Sequence, residues 1–254
     1  MFDYNQTFMG VSSLYGEKAL NRLRKAHVLV IGLGGVGSWA AEGLIRSGIS
    51  NLSLCDLDEV CMTNSNRQLA AMSSTLGRPK IDVLKERFLD INPDANIHLV
   101  HDFVSRDNIS DLLPLNTYDY ILDAIDETWV KTKIIAHCYR NKQKILSVGA
   151  SAGLKSPVGI CIEDLNRVEG DPLLRFCRNN LRNRLGFPKQ FRKKWRLPVV
   201  YMPGERPYNK ENNACSPSSG PDCDQRLGSS VAVTATMGFV SVSYILQKLI
   251  EVES

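Results

Sequence analysis

The sequence predicts a doubly wound α/β fold on a mostly parallel sheet, and three observations carry that expectation. Short apolar runs alternate with helical spacing over about the first 150 residues. A glycine turn, Gly32-Leu-Gly34-Gly35-Val-Gly37, joins the first run to the first helix. Asp56 closes the second run, 19 residues after Gly37. Strand and helix in this rhythm wind a parallel sheet, and such a turn followed by such an acid belongs to the Rossmann-like, nucleotide-binding version of it.

Val28 to Ile31 is continuously apolar and bounded by glycine, as expected of a strand covered on both faces. Ser38 to Ser47 has helical spacing, with Ala40, Ala41, Leu44 and Ile45 on one side. Further strands are expected at Leu52–Cys55, Ile97–Val100, Tyr120–Leu122 and Ile145–Val148, with helices at Pro79–Leu89 and Lys131–Arg140 between them. Pro79 suits a first helical turn. Val158 to Ile162 reads as one more strand. Asn166 to Cys223 then loses periodicity and reads as a basic, loop-rich insertion. Ser230 to Ile250 reads as an apolar helix. That run is long enough to raise a membrane span, which needs roughly 20 apolar residues, but a helix buried against the sheet explains it with less. The expected organisation is a nucleotide-binding domain over 1–164, a basic segment over 165–229 and a helix within 230–254 packed on the same domain.

The composition of the 254 residues, 43% hydrophobic and 23% charged, is that of a globular chain and excludes collagen and wholesale disorder. Seven cysteines, none spaced Cys-x-x-Cys, make neither a disulfide framework nor a structural zinc site built on paired knuckles. With no signal-like start at Met1–Gly10, they fit a reducing cytoplasm. The net charge of +4 hides an asymmetry. Residues 165–196 hold ten Lys/Arg against Glu169 and Asp171, leaving the remainder mildly acidic. Such a distribution points to a polyanionic partner.

Beyond the glycine turn, Asp56-Leu-Asp58 runs into Asn64-Ser-Asn66-Arg67-Gln68, then Pro79-Lys80, then Asp123-Ala-Ile-Asp126 at the end of the fourth strand. Strand C-termini are where an open α/β sheet binds its ligand, so these groups converge on one crevice. The glycines let the backbone approach phosphates at a helix N-terminus. Asp56 suits ribose hydroxyls, Arg67 and Lys80 supply positive charge for a triphosphate, and Asp126 suits magnesium. A dehydrogenase needs no such set.

Taken together, these motifs resemble the ATP-binding domain of the ubiquitin-activating-like superfamily, which includes the molybdopterin- and thiamine-pathway adenylyltransferases. The resemblance implies ATP and magnesium, and adenylation of a carboxylate. It maps Gly34, Asp56, Asn64, Arg67, Lys80 and Asp126 onto the contacts. Leu14-Tyr-Gly-Glu-Lys-Ala-Leu20, Gly35 to Glu42, Cys61 to Gln68 and Val233 to Val240 are similar to the tRNA threonylcarbamoyladenosine dehydratase branch. That likeness implies ATP-dependent cyclisation of a modified adenosine beside the anticodon, in tRNAs that read codons beginning with adenine. It also implies a homodimer and raises a cysteine desulfurase or other sulfur-acceptor system as a partner. The alternative is activation of a sulfur-carrier or ubiquitin-like protein's C-terminus. Two further readings follow from the likeness. Cys223, in Pro221-Asp-Cys-Asp-Gln225, aligns with a cysteine of the dehydratases and stands as a candidate catalytic thiol. Thr7 and Ser13 occupy places where relatives often carry arginines, one of which can reach a neighbouring subunit's ATP; that departure puts a trans-acting arginine in question, with Arg22 or Arg24 as a candidate substitute that spacing does not show.

The basic segment then reads as a tRNA surface, with Arg192, Lys193, Lys194 and Arg196 as phosphate contacts. Phe176, Phe187, Phe191 and Trp195 are interleaved with the charges, a mixture suited to unstacked bases.

Overall fold

Strand β1 (His27–Ile31) alternates between two cores, which is why no polar residue interrupts it: Val28 and Val30 pack on one face of the sheet, Leu29 and Ile31 on the other. The computed structural model describes residues 2–105, 108–190, 193–204 and 227–251. In chain order the longer elements are α1 (Tyr4–Thr7), α2 (Met9–Tyr15), α3 (Glu17–Lys25), β1, α4 (Gly37–Arg46), β2 (Asn51–Cys55), α5 (Lys80–Ile91), β3 (Asn96–Val100), α6 (Ile109–Leu112), β4 (Tyr120–Asp123), α7 (Thr128–Arg140), β5 (Ile145–Val148), β6 (Cys161–Asp164), α8 (Pro172–Arg184), β7 (Pro198–Tyr201) and α9 (Val231–Ile250). The sheet order is β3-β2-β1-β4-β5-β7-β6, parallel throughout except where β6 runs against β7. The strand order reverses between β1 and β4, the place where such folds bind ligands.

The expected strands and helices of the first 150 residues are present to within a few residues. Three expectations beyond them are corrected. The strand read at Val158–Ile162 is β6, at Cys161–Asp164. The insertion is not loop alone where it is described. It contains α8, whose Leu173, Leu174, Cys177 and Leu181 are buried, and β7, which lies between β5 and β6 in the sheet. Asp171 caps α8 by accepting from the Leu174 N–H at 2.9 Å, and Pro172 opens it. Nor do two of the four aromatics interleaved with its charges, Phe187 and Trp195, stand free for bases. Phe187 and Trp195 are buried in the second core, their rings 5.0 Å apart and edge-on, and the Trp195 indole donates to the Pro188 carbonyl. Phe191, Arg192, Cys215 and Cys223 lie outside the described residues.

Helix α9 passes a length-and-composition test for a membrane span, yet one face of it is packed. Val233, Met237, Val242, Ile245 and Leu246 join the first core. Gly43 of α4 and Gly238 of α9 bring the two helices close. A Cβ on Gly43 would stand 2.9 Å from Val242, and one on Gly238 would stand 2.9 Å from the Val36 carbonyl. Thr234, on that same face, reaches the glycine turn, so α9 helps to wall the site.

Candidate nucleotide site

The turn after β1 is shaped by two glycines that nothing larger could replace. Gly32 has φ +83°, and a Cβ there would stand 2.8 Å from the Ile125 side chain. A Cβ on Gly37 would overlap the Gly32 carbonyl oxygen. Gly34 is different: the nearest atom to a Cβ there is Gln68 Nε2, at 3.9 Å, so its face is open. The Ser38 hydroxyl donates to the Gly34 carbonyl at 2.7 Å and accepts from the Leu69 N–H, pinning the turn to the next loop. Gly34, Gly35 and Val36, at the N-terminal end of α4, line a cavity of about 840 Å³.

Opposite the turn, Asp56 lies at the end of β2. The backbone N–H groups of Leu33 and Asp58 donate to its two oxygens at 2.6 and 2.8 Å, fixing the carboxylate toward the cavity. Burial pushes its carboxyl above the ordinary value, with the Lys80 charge and the two N–H bonds acting against the shift. Lys80, itself buried, donates to Asp58 at 2.7 Å. The Asp58–Val60 stretch is laced to Arg78–Lys80 by the Val60 N–H to Arg78 carbonyl and Lys80 N–H to Asp58 carbonyl bonds, which brings the lysine to the start of α5.

Arg67 reaches the cavity from the loop after β2. Its carbonyl accepts from the Trp39 indole at 2.9 Å, and its guanidinium donates to the Thr63 carbonyl and the Asn66 side chain. Gln68 lines the same wall, and its side-chain oxygen is buried with no hydrogen-bond partner among the described residues. Asp126 and Glu127 follow β4 on the far side, Asp126 exposed.

Gly32, Gly34, Gly35, Asp56, Asp58, Arg67, Gln68, Lys80 and Asp126 therefore line one cavity. Two expected members do not. Gly37 acts on the shape of the turn from behind it. Asn64 is not among the lining residues; its side-chain oxygen accepts from the Cys61 N–H at 3.3 Å in a short 3-10 turn. Lys193, Lys194 and Arg196 are exposed and outside the cavity. The Asp164 carboxylate accepts from the Trp195 and Leu197 N–H groups and fastens the backbone between them. Arg22 and Arg24 are engaged within the chain, one donating to the Ile250 carbonyl, the other lying over the Tyr4 ring.

Motif reading missed the apolar wall of the cavity (Phe103, Val104, Ile125, Leu173 and Phe176) and a polar support beneath it. Lys131 and Asp123, both fully buried, pair at 2.8 Å; Lys131 also donates to the Asp123 carbonyl and the Ser147 hydroxyl to its carboxylate. The Ile125 N–H donates to the other carboxylate oxygen. The start of the loop that carries Asp126 is thereby anchored to α7 and β5. A lysine inside an apolar helical run was the available signal. Of the described cysteines, Cys55 and Cys138 are pushed up to about 12 and Cys177 to about 11, all by burial, which leaves them poor nucleophiles at neutral pH.

Shape and donors fit a nucleoside triphosphate. The cavity has a glycine face open to phosphates at a helix N-terminus, a fixed carboxylate for hydroxyls, two cations, and an unpartnered amide oxygen. A family model described as the ThiF family matches residues 4–251. The chain belongs to the ThiF family. Among its relatives, a tRNA threonylcarbamoyladenosine dehydratase of Haemophilus influenzae is 41% identical over 252 residues, 99% of this chain and 96% of the relative. The Escherichia coli dehydratase is 39% identical, over 97% and 94% of the two chains. A crystal structure of the E. coli dehydratase TcdA in complex with ATP superimposes with a TM-score of 0.87 at 38% identity, covering 96% of this chain and 94% of that one. The E. coli molybdopterin-synthase adenylyltransferase is 29% identical over 63% of this chain and 65% of its own length.

Proposed function

We propose that this ThiF-family chain is an ATP-dependent tRNA threonylcarbamoyladenosine dehydratase, acting through adenylation of the substrate's carboxylate. The observation that carries the reading is the single cavity uniting the glycine turn, Asp56, Arg67, Lys80 and Asp126 in a chain similar to the dehydratases from end to end. The threonyl carboxylate of the modified adenosine attacks the α-phosphate of ATP and pyrophosphate leaves. A nucleophile of the same side chain then attacks the activated carbonyl and AMP leaves, so the substrate loses one water. Arg67 and Lys80 stabilise charge developing on the phosphates, usually the dominant source of rate enhancement in such catalysis. Asp56 accepts from the ribose.

Magnesium would be held by Asp126 together with the phosphates, since this cation takes one or two carboxylates alongside substrate oxygens. It would neutralise phosphate charge there. Among the described residues no three metal-ligating side chains cluster. The reading extends to a homodimer working in the cytoplasm, to the 165–229 segment as its tRNA-facing part, and to Cys223 as a thiol available to the chemistry or to a sulfur-acceptor system.

Incubation of tRNA carrying threonylcarbamoyladenosine with ATP tests the proposal. The expected result is stoichiometric AMP and a modified nucleoside lighter by one water; neither product appearing overturns it. Arg67→Ala is expected to lower AMP formation by roughly 10²–10³-fold, the usual cost of one preorganised transition-state donor, with tRNA affinity nearly unchanged.

A further inference from the structure

A second groove, of about 480 Å³, lies beside the nucleotide cavity between α7 and α8. Ser105, Trp129, Lys133, Asn180, Arg184 and Leu185 are among its lining residues, so two cations and an aromatic ring share it. Its volume is within the range of small-ligand sites, roughly 300–1,000 Å³. Trp129 is 41% exposed, so part of its ring is open to a ligand in the groove. The Arg184 guanidinium lies 4.9 Å over its ring, and Phe176 meets it edge-on at 5.3 Å.

That edge contact joins the two sites. Phe176 lines the nucleotide cavity, Val130 lines both spaces, and Trp129 lies three residues beyond Asp126. A substrate whose carboxylate enters the cavity near Asp126 has the rest of its chain to place outside, and this groove is the adjoining surface. An exposed aromatic ring with an arginine plane on it is how proteins hold an unstacked base, and flanking cations hold its phosphate. Glu127, the nearest acid in sequence, is turned away from this use. Its carboxylate caps α7 by accepting from the Trp129 and Val130 N–H groups.

We propose that the groove seats one unpaired nucleotide of the RNA substrate next to the modified adenosine, its base against the Trp129–Arg184 stack and its phosphate between Lys133 and Arg184. This rests on the dehydratase reading and adds to it a site for substrate outside the ATP cavity. The tryptophan, not the buried Trp195 and Phe187 of the basic segment, supplies the stacking surface.

The test uses the full chain and an anticodon stem-loop RNA carrying threonylcarbamoyladenosine. Trp129→Ala is expected to weaken RNA binding roughly tenfold, within the usual cost of losing one stacked base. Trp129→Phe recovers part of it. Lys133→Ala with Arg184→Ala, two changes in surface side chains, is expected to flatten log K against log salt by roughly 0.7–1.4, for one or two phosphates no longer neutralised. In each variant the KM for RNA rises, while kcat at saturating RNA stays within about twofold and ATP affinity is unchanged, the split expected of binding that is equal in ground and transition states. Wild-type protein that converts the RNA, alongside variants with wild-type affinity and salt slope, overturns the groove assignment alone. Wild-type protein that neither binds nor converts the RNA overturns the dehydratase reading as well.

Discussion

Gly34 and Gly37 stand three residues apart in one turn, and the structure gives them opposite roles. At Gly37 a methyl group has no room, because the Gly32 carbonyl occupies its place. At Gly34 it has space, bounded by the Gln68 amide at 3.9 Å, but it would stand on the cavity face at the N-terminus of α4, where the proposed reading seats the phosphates. Gly37→Ala is therefore expected to cost roughly 2 kcal/mol or more of stability, as clashes at well-packed positions do, and nucleotide binding with it. Gly34→Ala is expected to keep the wild-type Tm while weakening ATP binding roughly tenfold or more, since the backbone can no longer approach the phosphates. Thermal unfolding and ATP titration of the two variants check both; equal loss of Tm would show Gly34 to be structural too. In sequence these two glycines look alike, and only the position of the Gly32 carbonyl separates them. That Asp56, Arg67, Lys80 and Asp126 line one cavity was legible because all four lie at or beyond strand C-termini, where an open α/β sheet binds its ligand. Asn64 was not: its side chain could serve a ligand or its own turn equally well, and here it caps Cys61.

At the scale of elements, α4 and α5 are clipped together by a buried carboxylate. Glu42 accepts from Arg46 one turn on and from Arg87 of α5, the latter through both oxygens, at 2.8, 2.5 and 3.0 Å. Burial works to raise the Glu42 carboxyl, but the hydrogen bonds and charges of Arg87 and Arg46 outweigh it and hold it below the ordinary value. A depressed carboxyl stabilises the fold when ionised. Its contribution is fully present above the unfolded value near 4.5 and is lost as pH falls through the lower folded value. Glu42→Gln is expected to cost about 1–2 kcal/mol at neutral pH, discounted because both arginines are partly exposed. The difference from wild type should shrink as pH falls below about 4.5, which urea midpoints measured across pH would check. A difference that stays constant with pH would exclude the clip. The same scale explains which elements could be read beforehand. The strands β1, β2, β4 and β5 are short apolar runs, and the helices between them carry apolar stripes. Helix α8 was hidden because Arg175, Arg178, Arg182 and Arg184 dilute the stripe formed by Leu173, Leu174, Cys177 and Leu181. Its Asp171-Pro172 start was the one local signal. Strand β7 is only four residues long and acquires its meaning from pairing with β5 and β6, far off in sequence.

At the scale of the whole molecule, charge and chemistry are separated. The acidic remainder supplies every charged residue that lines the nucleotide cavity, while residues 165–196, which add only Pro172, Leu173 and Phe176 to its wall, carry a net charge of +8. Folding sharpens the division by removing Phe187 and Trp195 into the core while leaving Lys193, Lys194 and Arg196 exposed around Trp195. What faces solvent there is cationic rather than aromatic, so its contribution to RNA binding is expected to be electrostatic and insensitive to sequence. Replacing Arg192, Lys193, Lys194 and Arg196 with neutral residues should lower tRNA affinity most at low salt. It should flatten log K against log salt by roughly 0.7 for each phosphate of a single strand that is no longer neutralised, because fewer counterions are released. ATP affinity should not change, since none of Lys193, Lys194 and Arg196 lines the cavity. Nor should the preference for modified over unmodified tRNA change, because on the proposed reading that choice is made in the nucleotide cavity, which none of Lys193, Lys194 and Arg196 lines. Binding isotherms at several salt concentrations, with modified and unmodified tRNA, separate these effects. An unchanged slope would make the segment a solvated surface with no part in binding. A changed preference would place it against the modified nucleotide itself.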